Sequence, residues 1–241
     1  MADDGRMAAV IPVKDPNAVH LSQTIDSIGD QTYTPKEVIV VDSSATPLAI
    51  NSDVVNVNTI RRPDAGIGEA RREGMREADA EYIAHLSEDA VILRSDYFAE
   101  AVDRLDQPDV SAVGGTVFPI RGNREGKAIA VLDKFNPSSL GTHHIIHKKA
   151  LCDGSACFHS GQGRGEDRTL RSELRQYGRI ERMGDHAAMK DLPTKRQSLA
   201  RKVIIGSLTG AIAGAASGWA RDNLSEFGGS IRQRADSDLT L

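Results

Sequence analysis

Short apolar runs alternate with helical patterns from the start of the chain, and three of these runs stop at a cluster of polar residues. Ala8 to Val13 reads as a buried strand that opens at Lys14-Asp15, Glu37 to Val41 closes at Asp42-Ser43-Ser44, and Tyr82 to Leu86 ends in Ser87-Glu88-Asp89. Val54 to Ile60 and Ala112 to Phe118 read as two further strands. Between them, Ala18 to Gln31 carries Leu21, Ile25 and Ile28 at helical spacing, and Ile67 to Ala78 follows a Gly-containing turn. Asp96 to Leu105 sets Tyr97, Phe98, Ala101, Val102 and Leu105 on one helical face. Strand and helix in alternation predict an α/β fold, a three-layer α/β/α sandwich with a mostly parallel central sheet. Ligands of such sheets bind beyond the carboxyl ends of the strands. The polar clusters gather at those ends, which predicts a nucleotide-sized crevice there.

The 241 residues suit one domain of about 200 residues and a short appendage. The boundaries read from the pattern are a main α/β domain over 1–192, a basic-flanked apolar helix over 193–223 and a polar tail over 224–241. A net charge of -4 and a pI near 6.0 give no basic stripe and argue against nucleic-acid binding. Two cysteines, Cys152 and Cys157, are too few for a disulfide scaffold and suit a reducing compartment. Met1 to Arg6 is polar and offers no apolar signal region. Together these predict a cytoplasmic location for the main domain.

Five segments in order resemble family 2 glycosyltransferases of the GT-A fold. They are Val10-Ile11-Pro12-Val13-Lys14, Val40-Val41-Asp42-Ser43-Ser44, and Asp64 to Gly74 with its Gly66, Ala70, Arg71 and Gly74. Glu81 to Leu86 followed by Ser87-Glu88-Asp89, and Gly165-Glu166-Asp167 with Leu170 and Gly178, complete the set. The resemblance covers about residues 8 to 185. It implies an inverting, metal-dependent enzyme that moves a sugar from a nucleotide-diphosphate sugar to a glycan or polyprenyl-linked acceptor.

The resemblance assigns roles residue by residue. Asp89 stands where the family's Asp-x-Asp carboxylates hold Mg²⁺ or Mn²⁺ on the donor diphosphate; the first position of that motif is here Ser87. Strand alternation would place Ser87 and Asp89 on one face and turn Glu88 away. Asp42 resembles the aspartate that contacts base and ribose, although Asp-Ser-Ser also suits an Asx-turn. Pro12, Lys14 and Asp15 are expected as loop contacts to the donor, with Ser87 and Glu88 beside it. Gly66 precedes a helix whose N-terminus suits phosphate, and Arg71 suits either the diphosphate or a site carboxylate.

Asp167 is the expected catalytic base. Helical spacing puts it near the face of Leu170, Leu174 and Tyr177, pointing inward. Glu166 beside it would help orient the acceptor. Gly-Glu-Asp could equally supply favourable negative charge at a helix start. His143, His144, His147, Cys152, Cys157 and His159 cluster but match no zinc spacing, so a strand and loop beside the acceptor site is expected there. His186 follows the Gly-Glu-Asp helix where some family members add a metal contact. Arg121 to Lys127 reads as a surface loop. No Gln-x-x-Arg-Trp follows Asp167, which favours a single addition over processive synthesis.

Val203 to Ala220 has no charge, and Gly206, Gly210, Gly214 and Gly218 recur at every fourth position. A helix of that length spans about 27 Å, close to a bilayer core. The glycine stripe suits close helix packing, as a glycine-zipper helix in a membrane or in a homo-oligomer. Arg201 and Lys202 before it and Arg221 after it suit cytosolic head groups. The chain is thus expected at the cytoplasmic face of the cell membrane. A competing expectation is a catalytically degraded, membrane-tethered nucleotide-sugar-binding or scaffold protein, for which Ser87 is the best support. A nucleotidyltransferase is a third, but Pro12 to Pro16 lacks its Gly-rich first loop.

Overall fold

The computed structural model describes residues 6–50, 52–115, 117–119, 144–152, 157–158, 166–183 and 188–190, all within a unit spanning Met1–Leu192. The second unit, Pro193–Leu241, lies outside the described residues, and with it Val203 to Ala220 and the tail.

The chain opens with β1 (Met7–Val13), α1 (Ala18–Gly29), β2 (Glu37–Asp42), β3 (Val57–Arg61), α2 (Ile67–Glu77) and β4 (Tyr82–Leu86). It continues with β5 (Ala90–Ile92), α3 (Tyr97–Leu105), β6 (Val110–Gly114), β7 (Val117–Pro119) and β8 (His144–Lys148). A 3-10 turn at Lys149–Cys152, then α4 (Glu166–Tyr177), β9 (Arg179–Arg182) and β10 (Ala188–Lys190) follow. Seven strands form one sheet in the order β3-β2-β1-β4-β8-β6-β9. All pairings are parallel except those of β8, which runs antiparallel to both β4 and β6. A smaller sheet has the order β5-β10-β7.

Side-chain alternation on β1 and β2 sorts the core into two layers. Met7, Ala9, Ile11, Val13, Val38 and Val40 pack with Leu21, Ile25 and Ile28 of α1 and with Tyr97, Phe98 and Leu105 of α3. Ala8, Val10, Ile39 and Val41 pack with Ala70 and Met75 of α2 and with Leu170 and Leu174 of α4. The expected sandwich is therefore present, with a mixed rather than purely parallel sheet. Asn17 caps α1 by accepting from the backbone amides of Val19 and His20. Gly74 lets α2 lie against the sheet: a Cβ there would stand 2.5 Å from Val10 Cγ1.

Several expectations shift. The third strand starts at Val57, not Val54. The run expected from Ala112 to Phe118 divides into β6 and β7, which join different sheets after Gly114-Gly115. Pro12 is not a loop residue. It is buried inside β1 opposite Val41, and pairing with β4 stops at Val10, before the position where proline has no N–H to give. Cys152 and Cys157, which suit a reducing compartment by sequence, are joined by a disulfide with their Cα atoms 5.4 Å apart. Both sulfurs are thereby unavailable as thiolate ligands. His143, His159, Gly165, His186 and Arg121 to Lys127 lie outside the described residues.

Candidate active site

The carboxyl ends of β1 and β2 are tied together by short hydrogen bonds. The Ser43 amide donates to the Val13 carbonyl at 2.9 Å, and the Asp15 amide donates to Ser44 Oγ at 2.8 Å. Asp15 adopts φ 47°, in the left-handed region that aspartate tolerates, and its Oδ1 accepts from the Ala45 amide at 3.2 Å. Lys14 beside it is exposed.

Asp42 closes β2 and is 1% exposed. Its Oδ1 accepts from the Ser44 amide at 2.9 Å, which is an Asx-turn, and its Oδ2 accepts from the Leu48 amide at 3.0 Å. Arg61, its register partner at the end of β3, reaches Oδ2 at 3.0 Å and also donates to the carbonyls of Ser44 and Ala45. Burial pushes the Asp42 carboxyl up, but the hydrogen bonds from Ser44 and Leu48 and the Arg61 charge outweigh it and hold the carboxyl below its ordinary value. Asp42 is thus the anchor of the 42–48 loop. Sequence reasoning missed Arg61, although the basic pair Arg61-Arg62 directly behind a strand was its signal.

β4 ends at Leu86, and Ser87 to Asp89 form a turn into β5. The strand alternation expected to turn Glu88 away therefore does not extend to it. Thr24 Oγ1 of α1 donates to the Glu88 carbonyl at 3.0 Å, and the Ala90 amide donates to the Ser87 carbonyl at 3.1 Å. Ser87 is buried, while Glu88 and Asp89 are partly exposed. Gly66 is the exposed N-cap of α2, in extended conformation and with no side chain to occupy its amides.

Arg71 lies one turn into α2 and is fully buried. None of its three guanidinium nitrogens has a hydrogen-bond partner among the described residues. Burial lowers its pKa to about 10 against the attraction of Glu166, then Asp167, then Glu88. The turn after β4 and the first turn of α4, far apart in the chain, thus act on one buried cation.

The helical wheel of α4 differs from expectation. Glu166, Leu170 and Leu174 are its buried face, and Tyr177 is exposed. Asp167, expected to point inward, keeps 35% of its side chain exposed and pairs with Arg171 at 3.6 Å. The stripe follows the i, i+4, i+8 row from Glu166, so the pair exchanges burial. Among the described residues no group of three His, Cys, Asp or Glu side chains is arranged to hold a metal ion, and no helix is long and apolar enough to cross a membrane.

No curated protein matches the chain. A mannosyltransferase, PcManGT from Pyrobaculum calidifontis, solved with GDP-Man and Mn²⁺, superimposes with a TM-score of 0.63 at 19% identity. The match covers 83% of this chain and 61% of that one, so the chain spans less than two thirds of that relative. TarS residues 1–349 from S. aureus, solved with UDP-GlcNAc, gives a TM-score of 0.59 at 14% identity, over 88% of this chain and 69% of that one. At such identities these structures are evidence of the shared GT-A-like fold. The family model "Glycosyl transferase family 2" matches residues 9–158, more than half of the sequence and four of the five motif segments, with α4 beyond its end. On that match, the chain belongs to glycosyl transferase family 2.

Proposed function

We propose that the protein is an inverting glycosyltransferase that moves a single sugar from a nucleotide-diphosphate sugar to a glycan or polyprenyl-linked acceptor. The observation that carries this reading is the buried Arg71, a cation on which the charges of Glu88, Glu166 and Asp167 act together. It links the turn after β4, where the donor diphosphate would lie, to the first turn of α4, where the acceptor would be deprotonated.

Asp167 is the proposed base, because its partial exposure leaves it open to an acceptor hydroxyl. It takes the hydroxyl proton as that oxygen bonds to the anomeric carbon and the bond from carbon to the diphosphate oxygen breaks. The charge of the buried Glu166 acts on Arg71 rather than on the acceptor. Exposed Lys14 and the amides at Gly66 face the same end of the sheet and suit the phosphates. Asp42 and Arg61 shape the loop on which the nucleotide would rest.

The carboxylates of Asp89 and Glu88 are oxygen donors of the kind a hard divalent cation takes, and Ser87 adds a third oxygen to the turn. Mg²⁺ or Mn²⁺ held there would neutralise negative charge on the leaving nucleotide diphosphate. Membrane attachment through 203–220 belongs to the same proposal; deleting that segment should release the protein from sedimenting membranes.

The test is a donor screen by thermal shift with UDP-, GDP- and dTDP-sugars, with and without Mn²⁺, followed by turnover assays on the hit. One donor should stabilise the protein in a metal-dependent way, and Asp89→Ala and Asp167→Asn should each abolish transfer. Full activity in both variants would sink the assignment. Binding without turnover across a broad acceptor screen would favour a nucleotide-sugar-binding scaffold.

A further inference from the structure

His85 and His147 occupy the layer between the sheet and helices α2 and α4. His85 shares a strand face with Ile83, and His147 is the register partner of Ile83 on β8, so both rings project to the side where Ile83, Ala70 and Leu170 pack. They are diagonal neighbours across the β4–β8 pair, stacked with centroids 5.2 Å apart and wholly buried. Phe158, next to the disulfide-bonded Cys157, closes on His85 edge-on at 5.2 Å.

The hydrogen bonds set the tautomers. His147 Nδ1 lies 2.9 Å from the Lys148 carbonyl, which can only accept, so that nitrogen carries the proton. Its Nε2 is therefore bare and accepts from His85 Nε2–H at 3.2 Å. This leaves His85 Nδ1 as a bare lone pair, buried and without a partner among the described residues. Burial, then His147 and the Arg71 charge, keep His85 well below its ordinary pKa, and burial lowers His147 to about 4, so both rings are neutral at pH 7. Arg71, reaching into the same layer from α2, has five N–H donors and no hydrogen-bond acceptor among the described residues. A lone buried acceptor and a lone buried set of donors are complementary, and one interior water can satisfy both.

We infer that His85 is a positioning residue: its Nδ1, held bare by the Lys148–His147–His85 chain, accepts through one buried water from the Arg71 guanidinium and fixes it in the layer between the sheet and α2. The role given to Arg71 rests on the function proposed above, whereas the His85–Arg71 link does not. A histidine at the penultimate position of β4 thereby becomes part of the donor site without touching the donor.

Two-bond ¹H–¹⁵N spectra of the full chain at pH 7 test the link itself. His85 should show the Nε2–H tautomer and His147 the Nδ1–H tautomer, and Arg71→Met should move the His85 Nδ1 resonance. Matching tautomers, or a resonance unmoved by Arg71→Met, would overturn the inference whatever the protein binds. The functional arm uses UDP and GDP with Mn²⁺ as probes. His85→Asn keeps an acceptor near the Nδ1 position; His85→Gln keeps only the link to His147, and His85→Phe keeps neither. Affinity for the nucleotide that binds the wild type should stay within about threefold in His85→Asn and fall about tenfold or more in the other two. Equal losses in all three, tracking their melting temperatures, would reduce His85 to a packing role. If the wild type binds neither nucleotide while the spectra behave as stated, the proposed function fails and the His85–Arg71 link stands.

Discussion

Replacing Arg71 by methionine separates stability from function. The guanidinium is fully buried and has no hydrogen-bond partner among the described residues. At pH 7 it remains charged, and a pKa lowered to about 10 corresponds to a folding cost of about 3 kcal/mol, at about 1.4 kcal/mol per pH unit. The attraction of Glu166, Asp167 and Glu88 already acts within that balance, so removing the charge relieves the cost, against which stand imperfect packing and the loss of the inferred link to His85. Arg71→Met should therefore stabilise the ligand-free protein by about 1–3 kcal/mol, raising the melting temperature by roughly 3–10 °C for a domain of this size. The same variant should lose about 10-fold in nucleotide-diphosphate affinity, because the buried charge that acts on Glu88 at the donor end of the sheet is gone. Calorimetric melting and isothermal titration on the same preparations measure both. A variant that melts lower, like an ordinary core truncation, and binds nucleotide unchanged would refute the reasoning.

Three further outcomes follow from particular contacts. Gly74→Ala gains about 1 kcal/mol of helix propensity, but its Cβ would meet the stiff side chains of Val10 at 2.5 Å and Val41 at 3.1 Å; urea denaturation should show a net loss of about 1–2 kcal/mol. His147 falls from 6.5 to about 4 on folding, so between those values the unfolded chain binds more protons than the native one. Stability should then decline as pH drops from about 6.5 towards 4, by up to about 3 kcal/mol, and melting curves of a His85→Phe/His147→Leu double variant should lose most of that slope. Reduction of the Cys152–Cys157 bond, which closes a short loop, should lower stability by about 2 kcal/mol in the chain-entropy picture. An unchanged melting temperature, with both thiols titrated as free, would contradict it.

Much of the architecture was legible because its signals are local. The apolar runs of β1, β2 and β4 and the helical stripes of α1, α2 and α3 are periodicities within a dozen residues, and the polar ends of the strands follow from them. The Asx-turn at Asp42 was legible for the same reason, since its hydrogen bond spans two residues. What periodicity could not decide was which chain segments meet. Nothing in Val110 to Pro119 announces that its two halves enter different sheets, because strand partnership is set by segments distant in sequence. β8 enters the sheet antiparallel for a like reason.

The amino-acid sequence by itself determined the alternating fold, the family and the identity of the acidic groups at the carboxyl ends of the strands. Only the tertiary structure decided how those groups are used. It buried Glu166 and left Asp167 half-open, because the inward face of α4 depends on the sheet it packs against and not on its own spacing alone. It coupled the charges of Glu88, Glu166 and Asp167 to the buried Arg71 and set His85 in the same layer, because burial and electrostatic coupling belong to assembled layers and have no local signature in the chain.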